Sequence, residues 1–294
     1  MSNFIQIPNS ITTKLTKRSK HEEAFVYATI KSQIKDNSLH ASYPQSILVD
    51  FFIQDEKTIN DEKRLYKERL YKERTINNYV AELKKVGLLK VAERKLGESE
   101  YPYNVYEFNQ LKKDYFIILP PFLADDNISP KLKGLLLFVK SNCWSGTNYL
   151  HYNGITTDLA STLKVGRNQI KGYLEELKSK GYIRYIGKTL HIINENFPLF
   201  LNQDMDNMTY QIIYDYCLEH DSIPPVKNVD GKGKDKALSL IVAKFTNDYD
   251  SLRNVLEERC KRLPEHPSLD YFCQVLVNRK ATKEDKACKP DILL

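Results

Sequence analysis

The chain has no apolar run approaching the roughly 18–20 residues a helix needs to span a bilayer. Its longest candidate, Gly134–Val139 (GLLLFV), reads as a core element. Cysteine is scarce: Cys143, Cys217, Cys260, Cys273 and Cys288, with no pair at the C-x₂₋₄-C spacing of a zinc site. The opening MSNFIQIPNS lacks the basic start and apolar stretch of a signal peptide. With the odd cysteine count, it points to reduced, buried thiols in a cytoplasmic protein. H-E-x-x-H, G-x-S-x-G and G-x-G-x-x-G are all missing. VDGKGKDKALSL lacks the P-loop pattern and reads as a basic loop capping a helix, with phosphate contact by Lys232, Lys234 and Lys236 as the second reading. The six histidines are scattered, and none pairs with a tyrosine in a nicking motif. These absences lead us to expect no catalytic site, no metal and no cofactor.

What the chain does have is enough apolar content, 41% of 294 residues, for ordinary cores in two or three domains. Net charge is +6, which permits a nucleic-acid partner without demanding one, so the distribution of charge matters more than its sum.

The chain also repeats itself. FIQIP (Phe4–Pro8) recurs as FIILP (Phe116–Pro120), a numbering offset of 112. INNYVAELKKVGLLK (Ile76–Lys90) recurs as IKGYLEELKSKGYIR (Ile170–Arg184), an offset of 94. The first copy is therefore the longer by 18 between these two points. Each copy reads as an apolar strand ending in proline, a helix (HEEAFVYATIKSQI or SPKLKGLLLFVKSNC), a polar stretch, two further helices and a β-hairpin. Gly87 and Gly181 end the third helix at its C′ position. The fold class expected is mainly α with small β-hairpins: tandem winged-helix domains at 1–113 and 114–196, a helical C-terminal domain at 207–280 and a flexible tail at 281–294.

In the second copy, Thr156 or Thr157 is expected to cap a helix with Asp158 in its first turn. Lys164-Val165-Gly166 then turns, with Gly166 free to take a positive φ. Ile170, Tyr173, Leu174 and Leu177 face the core, while Arg167, Asn168, Gln169, Lys171 and Lys178 face outward, with the donors suited to base edges at the start of a recognition helix. From Lys164 to Arg184, six basic residues stand against Glu175 and Glu176. The hairpin residues Arg184 and Lys188, and Arg94 and Lys95 in the first copy, are candidates for phosphate or minor-groove contact.

FIILPPFLADDNISPKLKGLLLFVKSNCW, followed by LASTLKVGRNQIKGYLEELKSKGYI, resembles the N-terminal helix-turn-helix domain of phage and plasmid replication initiators and DnaD-like replisome organisers. Ile128, Ser129, Lys131, Lys133, Gly134, Leu135 and Leu136 carry the match, with Leu132 where alanine is usual. It covers about a quarter of the chain. The resemblance implies a winged helix acting in replication; related units serve transcription regulators. The C-terminal helices, with SLDYFCQVLVN, loosely resemble the modules with which such proteins bind DNA or host helicase-loading partners.

The first copy contains RLYKE twice, at Arg64–Glu68 and Arg69–Glu73. On one continuous helix, Leu70 and Tyr71 would both lie well off the stripe of Ile76, Tyr79, Val80 and Leu83 and be exposed. A bend at Leu70–Lys72 buries both and aligns the segment with LASTLKVGRN. That reading makes Lys72, Arg74, Asn77, Asn78 and Lys84 the first copy's DNA-facing set. Charge runs on helices are more often solvated faces, and placement in a duplicated unit is what raises this one. The expectation is a sequence-specific binder of double-stranded DNA acting in replication, possible as a homo-oligomer and without a membrane role. A transcription regulator and a protein-binding scaffold are the alternatives.

Overall fold

A computed structural model describes residues 4–15, 20–34, 39–43, 45–53, 62–96, 102–111, 114–144, 146–151, 154–200, 204–227 and 235–278. The first copy comprises β1 (Ile5–Pro8), α1 (Ile11–Lys14), α2 (Lys20–Lys31), β2 (His40–Tyr43), α3 (Gln45–Ile53), α4 (Glu62–Lys85), β3 (Leu89–Leu96) and β4 (Pro102–Phe108). The second repeats that order as β5 (Tyr115–Ile118), α5 (Pro121–Ala124), α6 (Pro130–Ser141), β6 (Tyr149–His151), α7 (Ile155–Leu163), α8 (Arg167–Ser179), β7 (Ile183–Ile186) and β8 (Thr189–Ile192). Each copy closes a three-stranded sheet in the same order, β2-β4-β3 and β6-β8-β7, with the last strand in the middle. Mainly helical structure with small antiparallel strand pairs is what the sequence predicts.

The central helices α2 and α6 carry apolar residues round most of their circumference and are buried on nearly every side. Phe25, Val26 and Ala28 on one, and Leu135, Leu136, Leu137 and Phe138 on the other, have no exposed surface. Ser129 caps α6 by accepting from the Leu132 amide, and Pro130 supplies the fixed φ of the first turn. The two helices pack on each other so closely at Gly134 that a Cβ there would lie 1.7 Å from the His21 carbonyl oxygen. Only glycine permits that approach.

β1 and β5 pair antiparallel, with Ile5 opposite Ile118 and Pro8 opposite Tyr115. Most of the segments 1–113 and 114–196 lies in one compact unit. That unit comprises Met1–Cys143, Asn148–Arg184 and His191–Pro198, and a second comprises Trp144–Thr147, Tyr185–Leu190 and Leu199–Leu294.

In the second unit, α9 (Met205–Glu219), α10 (Lys236–Phe245), α11 (Tyr249–Arg259) and α12 (Leu269–Cys273) enclose a core of Ile213, Leu238, Ile241, Leu252, Leu256 and Phe272. Asp204, Asp235, Asp248 and Ser268 cap the four helices with side-chain oxygens. Tyr210 and Tyr216 are buried and donate their hydroxyls to the carbonyls of Pro225 and Leu256. Lys236 opens α10, while the tail from 281 and the loop lysines Lys232 and Lys234 lie outside the described residues. Among the described residues no helix is long and apolar enough to cross a membrane.

The expected bend at Leu70–Lys72 does not occur. α4 runs unbroken for 24 residues, and Leu70 and Tyr71 stand 49% and 65% exposed on it. No glycine or proline interrupts Lys63–Val86, and strong helix formers fill its first half. Arg69 bonds Asp50 on α3, and Lys72 pairs with Glu68 one turn away at 3.8 Å. The second helix of the first copy is instead α3, whose sequence is QSILVDFFI. Upstream of the turn the offset between copies is 109 on the central helices (Ile30-Lys31-Ser32 to Val139-Lys140-Ser141) and 111 on the second helices (buried Leu48, Val49 and Phe52 to Leu159, Ala160 and Leu163), against 94 downstream, so the extra residues fall between α3 and the body of α4. RLYKERLYKER is an N-terminal extension of the third helix.

Candidate nucleic-acid interface

The third helices α4 and α8 carry most of the candidate residues. Ile170, Leu174 and Leu177 bury one side of α8, and Ile76, Tyr79 and Leu83 bury one side of α4. Both helices end on the same device. Gly87 and Gly181 take φ of 70° and 78°, and the following amides, Leu88 and Tyr182, each donate 2.9 Å back to the carbonyls of Leu83 and Leu177. The match between these segments thereby fixes an equivalent rotation for the two helices.

That rotation decides what faces solvent. On α4 the exposed stripe is Arg74, Asn77, Asn78, Ala81 and Lys85, with Lys84 beside it and no carboxylate within it. Lys72 lies one turn earlier, half-buried and paired with Glu68. On α8 the corresponding positions are Asn168, Lys171, Gly172, Glu175 and Ser179, flanked by Arg167 and Lys178, all exposed. Gln169 is exposed too, but its side-chain amide donates to the Tyr173 hydroxyl, which holds it along the helix. At the far end, Lys180 pairs with Glu176 at 2.8 Å and donates to the Asn127 carbonyl, leaving the positive character of α8 concentrated in its first two turns.

The turn before α8 differs from expectation in its chemistry. Gly166 has φ of −62° and serves as N-cap, with the amides of Gln169 and Ile170 bonding its carbonyl. The left-handed residue is Lys164, at φ 54°. It occupies the C′ site of α7, whose closing bond runs from the Val165 amide to the Ala160 carbonyl. The α7 N-cap is Gly154 at φ 83°, not Thr156 or Thr157, because the Asp158 amide bonds the Gly154 carbonyl one residue before Ile155.

The hairpin candidates are placed unevenly. Lys188 is exposed at the β7–β8 turn. Arg184 is half-buried on β7 near His191, and burial, followed by the Arg184 charge, holds that imidazole down at about 4. Arg94 and Lys95 fall on β3, and their side chains lie outside the described residues.

Several features escaped the sequence reading. Lys85 extends the α4 stripe, and only the helix's true phase shows it. Gly172 stands in mid-helix with open space where a Cβ would be. The strands β2 and β6 were read as polar connectors. Comparison with known families, characterised proteins and solved structures gives no match.

Proposed function

We propose that the chain binds double-stranded DNA through α8 and α4, each the recognition helix of a winged-helix unit. It would act as a replication initiator or replisome organiser of a phage, plasmid or integrated element. One observation carries the reading: two copies of one helix–strand–helix–helix–hairpin order each present an exposed polar stripe on the third helix, in equivalent rotation. A helix of this kind, about 10–12 Å across, fits the major groove. Arg167, Asn168 and Lys171 on α8, and Arg74, Asn77 and Asn78 on α4, supply the donors for base edges and phosphates. Lys178 and Lys84, exposed on the same helices, would supply backbone contacts. The first turn of α8 has no side-chain cap, so the amides of Arg167 and Asn168, ahead of those that bond the Gly166 carbonyl, would serve a phosphate.

The replication role rests on the resemblance of the second copy and its Ser129–Leu136 segment. A transcription regulator would use the same surface on a single operator.

Duplex affinity measured against salt tests the reading. Binding should weaken by a factor set by roughly 0.9 counterions per phosphate contacted. Arg167→Ala and Lys171→Ala should each cost about 1–3 kcal/mol if they meet bases. A flat salt response with unchanged affinity in both variants would instead support a protein-binding scaffold. Footprints beside AT-rich DNA would separate an initiator from a regulator seated on one promoter.

A further inference from the structure

The two copies meet through equivalent elements, and they do so reciprocally. At the offset of 112, Ile5 and Gln6 of β1 correspond to Ile117 and Ile118 of β5. In the antiparallel pair Ile5 lies opposite Ile118, and Gln6 opposite Ile117. Each residue therefore faces the counterpart of its neighbour. This is the contact pattern of a two-fold interface, with the axis passing between the strands.

The central helices repeat the pattern. Glu22 and Lys131 hold equivalent positions on α2 and α6, at the offset of 109, and each meets the tyrosine of its own copy's third helix, Glu22 meeting Tyr79 and Lys131 meeting Tyr173. The Lys131 Nζ lies 5.9 Å from the Tyr173 ring centre and the His21 ring centre 6.4 Å. Lys133, the counterpart of Ala24, places its Nζ 5.5 Å from the Phe25 ring. Helices that touch at their own equivalent positions cross on the axis. The third helices obey it as well. Tyr79 of α4 donates 2.9 Å to Glu22, while its counterpart Tyr173 of α8 sits against His21, so both helices arrive at one turn of α2.

From this arrangement, and resting on the DNA-binding reading above, we propose that the protein is an internal dimer whose target is an imperfect inverted repeat bound by a single chain. A two-fold axis carries each point to another at the same height, so the stripes of α4 and α8 emerge at the same end and run in opposite senses. Operator symmetry mirrors protein symmetry, so the two half-sites must be inverted and not direct. The half-sites must also differ in sequence, because Arg74, Asn77 and Asn78 replace Asn168, Lys171 and Gly172. The axis lies inside one chain, and a second copy is not needed to complete the site.

The test is selection of duplexes from a random pool by the full chain, followed by native mass spectrometry of the selected complex. The expected result is two dissimilar half-sites in inverted orientation at fixed spacing, with one chain per duplex. Asn77→Ala with Asn78→Ala should relax one arm of the motif by about tenfold, and Arg167→Ala with Asn168→Ala the other. Half-sites in the same orientation, a lone half-site, or two chains per duplex would overturn the internal dimer and leave DNA binding intact. Salt-sensitive binding without any enriched motif would do the same. Salt-insensitive binding without enrichment would remove the DNA reading itself.

Discussion

The third helix of the first copy has 24 residues and that of the second has 13, yet both finish on a left-handed glycine and the same back-reaching amide bond. Their C-terminal halves are copies, and their N-terminal ends are not. Before α8 the chain turns tightly through Lys164 and Gly166. Before α4 it has gained residues that lengthen the helix itself, which starts at Glu62, well ahead of Glu73, the counterpart of Arg167. The difference shows where a duplicated unit tolerates growth. Residues added at the free N-terminal end extend the helix without moving the face that its C-terminal half buries.

The copies differ most at the crossing of α2 and α6, where Gly134 faces the His21 carbonyl and its counterpart is Phe25, beside Ala24. Gly134→Ala should cost about 3 kcal/mol or more in urea denaturation, because backbone and not a flexible side chain opposes the new methyl. Ala24→Gly, adding only helix entropy, should cost about 1 kcal/mol. Similar losses for both would mean that the close approach does not exist.

Acid probes the same crossing. Burial, and next the Lys131 charge, hold His21 at about 4, and His191 is held at the same value. The unfolded chain takes up these protons near 6.5, so stability is complete above that pH and is lost as pH falls from there to about 4. The loss is roughly 3 kcal/mol per histidine. His21→Gln should flatten its share of the slope across that same window. Elsewhere, Lys164→Gly should raise stability by about 1 kcal/mol by relieving the left-handed lysine, while Gly166→Ala should not mimic it. Smallest of all, Leu70→Gln and Tyr71→Gln should stay within about 0.5 kcal/mol, as exposed positions do. Losses several times larger would restore the bend.

Legibility in the sequence followed the physics of each signal. Gly87 and Gly181 were readable because a local backbone requirement selects glycine. The buried stripe Ile170–Leu174–Leu177 was readable because helical period is local too. The second helix of the first copy was misplaced because the offset of 94 was carried upstream past the point where it changes. QSILVDFFI, with apolar residues on most sides, carried no polar face to announce it. Exposure of Leu70 and Tyr71 followed correctly from helix geometry; the error lay in requiring their burial. The short strands HASY and YLH have too few residues for an alternating pattern to register. The reciprocal pairing of β1 with β5 was invisible because nothing in either strand names a partner so far along the chain. Among the candidate site residues, the exposure of the α8 set followed from its amphipathic spacing. The half-burial of Arg184 was not legible, because a strand of four residues shows no alternation from which to read it.

The β1–β5 pair also sets a timetable. Synthesis delivers Ile5–Pro8 first and Tyr115–Ile118 much later, after an interval on the order of ten seconds at ordinary elongation rates. Throughout it, β1 presents a bare edge and α2 lacks the helix that covers it. Because antiparallel pairing of the two related strands is reciprocal, the β1 of a second nascent chain offers a similar partner. Neighbouring ribosomes on one message therefore place competing β1 edges side by side, and the protein's yield should fall as translation between β1 and β5 is slowed.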